Sequence, residues 1–143
     1  MATGASSAVW DDEGMLAHYT RQVQLVRDAG ALEQLPIHLS ALGLAKVWTG
    51  DFADAAALLA ESDRVAAATG NRFPPYVALR LLALQGREAE AATMASAIEQ
   101  TSPELGVAAT TAYWATAVLY NGLARYEEAA ASARRAAADT FAP

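Results

Sequence analysis

Apolar residues recur every three or four positions along most of this chain, and turn-forming residues interrupt them at intervals. This spacing is typical of amphipathic α-helices rather than of β-strands. It predicts about seven helices, at about residues 12–29, 35–48, 51–69, 74–84, 87–100, 104–122 and 125–139. Because the loops between them are short, neighbouring helices are expected to be antiparallel.

Capping residues mark several of these boundaries. Asp11 stands where it can cap the first helix, and Trp10 is placed to pack onto Met15. Gly70 closes the third helix, and Pro75 is suited to the first turn of the fourth.

Each helix also has an apolar stripe. The expected buried stripes include Leu16, Tyr19, Val23 and Val26 in the first helix, Phe52, Ala55, Ala56, Leu59 and Ala66 in the third, and Tyr126, Ala129, Ala130, Ala133 and Ala137 in the last.

Three helix-to-helix corners share one arrangement of residues and lie 36 and 38 residues apart. Each has a small residue, a second position two residues later and an alanine three residues after that. Tetratricopeptide repeats have a unit of about 34 residues, with an aromatic residue at the second position. The three sets are Gly50, Phe52 and Ala55; Gly86, Glu88 and Ala91; and Ala124, Tyr126 and Ala129.

These corners predict how the helices pair. The small residue allows a tight turn, the aromatic residue fills the gap between paired helices, and the alanine lets their backbones approach. Glu88 departs from the repeat, and its usual Trp and Gly survive only as Tyr113 and Gly43. The predicted fold is all-α, a right-handed stack of antiparallel, tetratricopeptide-like helix pairs (an α-α superhelix). We expect a flexible lead-in over residues 1–10 and a single helical-repeat domain over 11–143.

Composition excludes several classes of function. The net charge of −6 argues against a nucleic-acid-binding surface, which needs clustered Lys and Arg. The chain has no cysteine and its first residues do not form a signal peptide, so we expect a cytoplasmic protein. Residues 105–124 carry no charge, but threonines and glycines dilute their hydropathy. We therefore expect a helix packed inside the stack and no membrane contact.

Four stretches of this sequence resemble the middle region of large ATP-binding transcriptional regulators of the LuxR family. They are Val47-Trp48-Thr49-Gly50-Asp51-Phe52, Ala68-Thr69-Gly70-Asn71-Arg72, Ala83-Leu84-Gln85-Gly86-Arg87-Glu88-Ala89-Glu90-Ala91, and residues 117–129, AVLYNGLARYEEA. The resemblance implies a helical-repeat segment that senses an inducer or passes its signal on. It also implies an ATPase domain and a helix-turn-helix domain outside this chain.

Neither flanking domain is expected within the chain itself. Lys46 lacks the glycine spacing of a phosphate loop, so no cofactor is expected here and ATP would bind elsewhere in the parent protein. No basic recognition helix is present. The chain stops where a further helix would follow, which suggests a fragment. The alternative is a stand-alone adaptor that binds a protein or peptide.

Candidates for catalysis and metal binding are few. His18 and His38 are the only histidines, they fall on different helices, and the sequence places no partner beside them. We therefore expect neither catalytic nor metal-binding residues and do not predict an enzyme.

The register of the helix pairs predicts a binding groove instead, because the first helices of successive pairs line one wall. It would take a protein, a peptide or a small inducer, and Arg80 could pair with a carboxylate or phosphate. In the alternative, the aromatic residues fill the core. An exposed terminal helix face would favour self-association into a homo-oligomer. The groove positions are Ser40, Leu44, Tyr76, Arg80, Trp114, Val118 and Asn121.

Overall fold

The computed structural model describes residues 11–71, 73–101 and 106–140. Within these ranges the protein is all-α, with seven helices and no strand, as predicted. We number them α1 to α7: Asp12–Asp28, Leu35–Trp48, Phe52–Thr69, Tyr76–Leu84, Glu88–Thr101, Gly106–Gly122 and Tyr126–Thr140. The predicted lead-in over residues 1–10, including Trp10, lies outside the described residues.

The chain divides into two compact units, Met1–Phe73 and Pro74–Pro143. In the first unit α1 packs on α2 and α2 packs on α3. Its core is formed by Val23 of α1 with Leu35, Leu39 and Leu42 of α2. Asp11 caps α1, as expected, because its carboxylate accepts a hydrogen bond of 2.9 Å from the backbone N–H of Gly14.

In the second unit α6 packs on both α4 and α5, and α7 packs on α6. One buried cluster joins these helices: Leu79, Leu82, Ala83, Ala91, Ile98, Ala112, Ala115 and Leu119. The helix pairs α4–α5 and α6–α7 are therefore stacked through α6. The single-domain prediction for residues 11–143 and the handedness of the stack stay predictions.

The three corners have the common geometry that the repeat predicts. Gly50, Gly86 and Ala124 are all left-handed, with φ of 82°, 70° and 57°. The next residue donates its backbone N–H to a carbonyl five residues earlier, at 2.9, 3.0 and 2.8 Å. This hydrogen bond satisfies a carbonyl that the helix end would otherwise leave unpaired.

The residues that follow the corners confirm one part of the predicted packing and contradict another. The alanines are buried as expected, with Ala55, Ala91 and Ala129 exposing 0%, 3% and 7% of their surface. Tyr126, expected to fill the gap between paired helices, is instead 65% exposed. The helices already meet through the small alanine, so the ring at this position is not needed to close the contact.

Candidate binding groove

The two predicted groove residues of the first unit lie on α2. The Ser40 hydroxyl is 3.3 Å from the hydroxyl of Ser62, which in turn donates a buried 3.0 Å hydrogen bond to the carbonyl of Pro36. Ser40 therefore takes part in the contact between α2 and α3. Leu44 is half-buried.

In the second unit the predicted residues separate into two groups. Tyr76 is partly buried and packs against the central cluster, which is the core role that the sequence left open as an alternative. Trp114 packs against the same cluster, and it also lines, with Val118 and Asn121, one open groove of about 520 Å³ along α6 and α7. Sequence register thus brought together three side chains that the structure also places together.

The other wall of this groove comes from α7, whose apolar stripe was expected to be buried. Of that stripe only Ala129 is buried. Tyr126, Ala130 and Ala133 line the groove and are exposed, and Ala137 is exposed as well. The prediction of a buried stripe was wrong, because α7 packs only on α6 and its other faces have no described neighbour. The sequence would have identified this wall if the repeat register had been applied to the second helix of each pair as well as to the first.

Arg80 lies against the aromatic ring that anchors the groove. Its guanidinium carbon is 4.6 Å from the centroid of the Trp114 ring, a cation–π distance. The Arg80 Nε is buried without a hydrogen-bond partner, and among the described residues Arg80 forms no ion pair. Burial lowers the pKa of Arg80, because partial loss of water disfavours the charged form.

A different arginine ties the two corners of the second unit together. Arg125 follows the Ala124 corner and donates to Glu88, which begins α5, at 2.6 Å. It also pairs with Glu128 and lies 4.2 Å over the Tyr120 ring. Hydrogen bonds to Glu128 and then Glu88 raise the pKa of Arg125 above its usual range. Glu88, where the repeat expects an aromatic residue, therefore makes an ionic contact.

A smaller cleft, of about 230 Å³, is lined mainly by residues of α5, α6 and α7. Tyr113, Tyr120 and Thr116 of α6 line it with Arg135 of α7. The guanidinium of Arg135 is 4.8 Å from the Tyr113 ring. This stacking could not be predicted, because the sequence does not show which ring lies across the helix pair.

The histidines show no catalytic arrangement among the described residues. His18 Nε2 lies 2.7 Å from the side-chain nitrogen of Gln22, and its ring packs edge-on against Tyr19. Within the described ranges, no three His, Asp or Glu side chains are grouped closely enough to hold a metal ion. The prediction that the chain is not an enzyme stays a prediction.

Of the helices in residues 11–71, 73–101 and 106–140, none has both the length and the hydropathy that crossing a bilayer requires. No family model matches the chain, and no curated protein or solved structure is significantly similar to it.

Proposed function

We propose that this chain is a non-catalytic helical-repeat segment that receives a protein, a peptide or a small inducer in the groove along α6 and α7. The observation that carries the proposal is the grouping of Trp114, Val118 and Asn121 in one open groove, with the cation of Arg80 on the Trp114 ring. A groove of this size, mostly apolar with a few polar groups, suits ligand recognition.

The state of Arg80 supports a binding role. A partly buried cation without an ion pair costs folding free energy, and the stacking on Trp114 offsets only part of that cost. Side chains that cost stability without an internal partner are often retained for function. Arg80 does not itself line the groove, so a carboxylate or phosphate of the ligand would have to reach it beside the Trp114 ring to supply the partner that the described residues do not.

The lining of the groove supports binding rather than catalysis. Its lining residues are apolar except for Asn121 and the hydroxyl of Tyr126, and no acid–base pair lies among them. General acid–base or nucleophilic chemistry needs at least one such group with an oriented partner.

We further propose that the segment belongs to a LuxR-type regulator in the cytoplasm, with ATP binding and DNA binding in other domains. The four resembling stretches support this assignment, and each of them contains one αL residue: Gly50, Gly70, Gly86 or Ala124. Sequencing the surrounding reading frame tests it directly. A phosphate loop upstream and a helix-turn-helix downstream are expected, whereas their absence would favour the stand-alone adaptor.

A matched pair of variants tests the groove itself in the full-length protein. Ala133→Arg places a long charged side chain in the groove, whereas Ala131→Arg places it on an exposed position of the same helix outside the groove. Both should fold, because both positions are exposed. We expect Ala133→Arg to abolish partner binding or inducer-dependent transcription and Ala131→Arg to preserve it. Equal activity of the two variants would refute the groove.

A further inference from the structure

In the second unit, α4 and α5 form one surface and α6 and α7 form an equivalent one. A helix covers the first surface, whereas the second is open. The α6–α7 groove positions have equivalents 38 residues earlier, on α4 and α5. The matched positions are Trp114 with Tyr76, Val118 with Arg80, Ala129 with Ala91, and Ala133 with Ala95.

On α4 and α5 this surface is the seat of α6. Ala91 and Ile98 of α5 belong to one buried cluster with Ala112, Ala115 and Leu119 of α6, and Tyr76 and Ala95 pack against that cluster. Trp114 of α6 covers Arg80. An α-helix is therefore what this surface binds inside the molecule.

On α6 and α7 the equivalent surface is a groove with exposed walls. Ala133 is exposed, whereas its equivalent Ala95 is partly buried against the cluster, and Tyr126 exposes 65% of its surface. Ala130 is exposed in the same way as its equivalent Ala92. The small alanines would let a third helix approach α7 as closely as α6 approaches α5.

We propose that the α6–α7 groove is a docking site for an amphipathic α-helix of another polypeptide, seated as α6 is seated on α4 and α5. This inference rests on the proposed function and names the class of partner. The argument for a helix is that the open groove repeats, one helix pair further along the chain, the surface on which α6 already packs.

The covered surface also specifies the chemistry of the docked helix. The face of α6 that enters the cluster combines the small Ala112 and Ala115 with Leu119, a spacing of one helical stripe. The partner needs the same stripe, with small residues over Ala133, the equivalent of Ala95, and an aromatic residue against Val118, as Trp114 lies against Arg80.

Electrostatics fix the direction of the docked helix. Glu88 at the start of α5 binds Arg125, which follows the end of α6, so α6 runs antiparallel to α5. Tyr126 occupies the position of Glu88 at the start of α7, beside the exposed Glu127. A basic residue at the carboxyl end of the docked helix would meet the ring of Tyr126 and the charge of Glu127.

A synthetic peptide with the sequence of residues 106–125, extended by lysines at its amino end for solubility, is the probe. Titrated into the isotope-labelled full chain, it should shift the amide signals of Val118, Ala130 and Ala133. Val118→Glu in the chain should weaken binding at least about tenfold, the effect expected of a central contact. Ala133→Arg in the chain is a second variant and should also weaken binding. Because Ala133 is exposed, this variant still tests the groove if Val118→Glu unfolds the chain.

Peptide variants provide the matched control. A peptide carrying Ala115→Glu and Leu119→Glu should not bind, because both positions are buried when α6 is seated. A peptide carrying Ala117→Glu should still bind, because in α6 this residue lines the groove along α7.

Three outcomes would overturn the inference. Shifts centred on Ala91 and Ala95 would mean that the peptide displaces α6 of the chain itself. Self-association of the chain in sedimentation, abolished by Ala133→Arg, would identify a second copy as the occupant. Failure of the peptide to bind, while Ala133→Arg still inactivates the full-length protein, would leave the proposed function intact and exclude a docked helix.

Discussion

Among the described residues, Ala124 is the only non-glycine residue with a positive φ, at 57°. A left-handed conformation costs a residue with a Cβ roughly 1–2 kcal/mol, whereas glycine adopts it readily. The equivalent corners have Gly50 and Gly86. Ala124 is exposed, so little packing is lost when its methyl group is removed.

We therefore expect Ala124→Gly to raise the free energy of unfolding by about 0.5–1 kcal/mol, after allowing for the greater flexibility of glycine in the unfolded chain. Urea denaturation at an unchanged m-value measures it. Ala131→Gly, in the exposed middle of α7, is the control and should lower stability by about 1 kcal/mol. A loss of stability in both variants would show that the Ala124 corner is not strained.

Arg80 leads to a second prediction at the scale of a residue. Replacement by methionine removes the partly buried charge but keeps a long, flexible side chain over the Trp114 ring. Because a buried cation without an ion pair is unfavourable, Arg80→Met should leave stability unchanged or raise it by up to about 2 kcal/mol. Thermal and urea denaturation would measure the change.

The control for Arg80→Met is Arg134→Met, at an exposed position of α7, which should change stability by no more than about 0.5 kcal/mol. A loss of more than about 1 kcal/mol on replacing Arg80 would identify a structural side chain. That result would remove one of the supports for the binding role.

At the scale of the helices, the ionic contacts at the Ala124 corner make the free energy of unfolding depend on pH. The hydrogen bond from Arg125 lowers the pKa of Glu128 in the folded state. This hydrogen bond therefore stabilises the fold at pH values above the pKa of a glutamate in the unfolded chain, about 4.3. The stabilisation is lost as pH falls through the lower pKa that Glu128 has in the folded state. A carboxyl-carbon NMR titration should give Glu128 a midpoint below that of a model peptide.

Arg125→Gln should return the Glu128 midpoint to the ordinary range, because it removes the hydrogen-bonding cation. Arg134→Gln removes the same type of charge from α7 and should leave the midpoint where it was. If both variants shifted the midpoint equally, the cause would be the general field of the helix and not the corner contact.

The sequence predicted the helices and their ends better than it predicted which helix faces are buried. Asp11, Pro75 and the left-handed corner residues specify local backbone conformations, so the predicted helix ends agree with the structure to within about two residues. The exposure of the α7 stripe and the stacking of Arg80 on Trp114 depend on which helix lies opposite. Alanine gives no signal of this, because it suits both a close helix contact and an exposed helix surface equally.

At the scale of the whole molecule, each compact unit has its own core. Leu39 is fully buried in the first core and Ile98 is 2% exposed in the second. Removing either side chain to alanine should cost about 2–5 kcal/mol, from lost burial and the resulting cavity.

The prediction of a single domain can be tested by finding which parts of the chain lose stability in each variant. In a helical-repeat protein stability is passed mainly between neighbouring repeats, so a core defect weakens its own region most. We therefore expect Leu39→Ala to reduce amide hydrogen-exchange protection more in residues 11–71 than in the rest, and Ile98→Ala to do the reverse. Each variant is the control for the other. Equal losses of protection throughout the chain in both variants would mean that the two cores unfold as one cooperative unit.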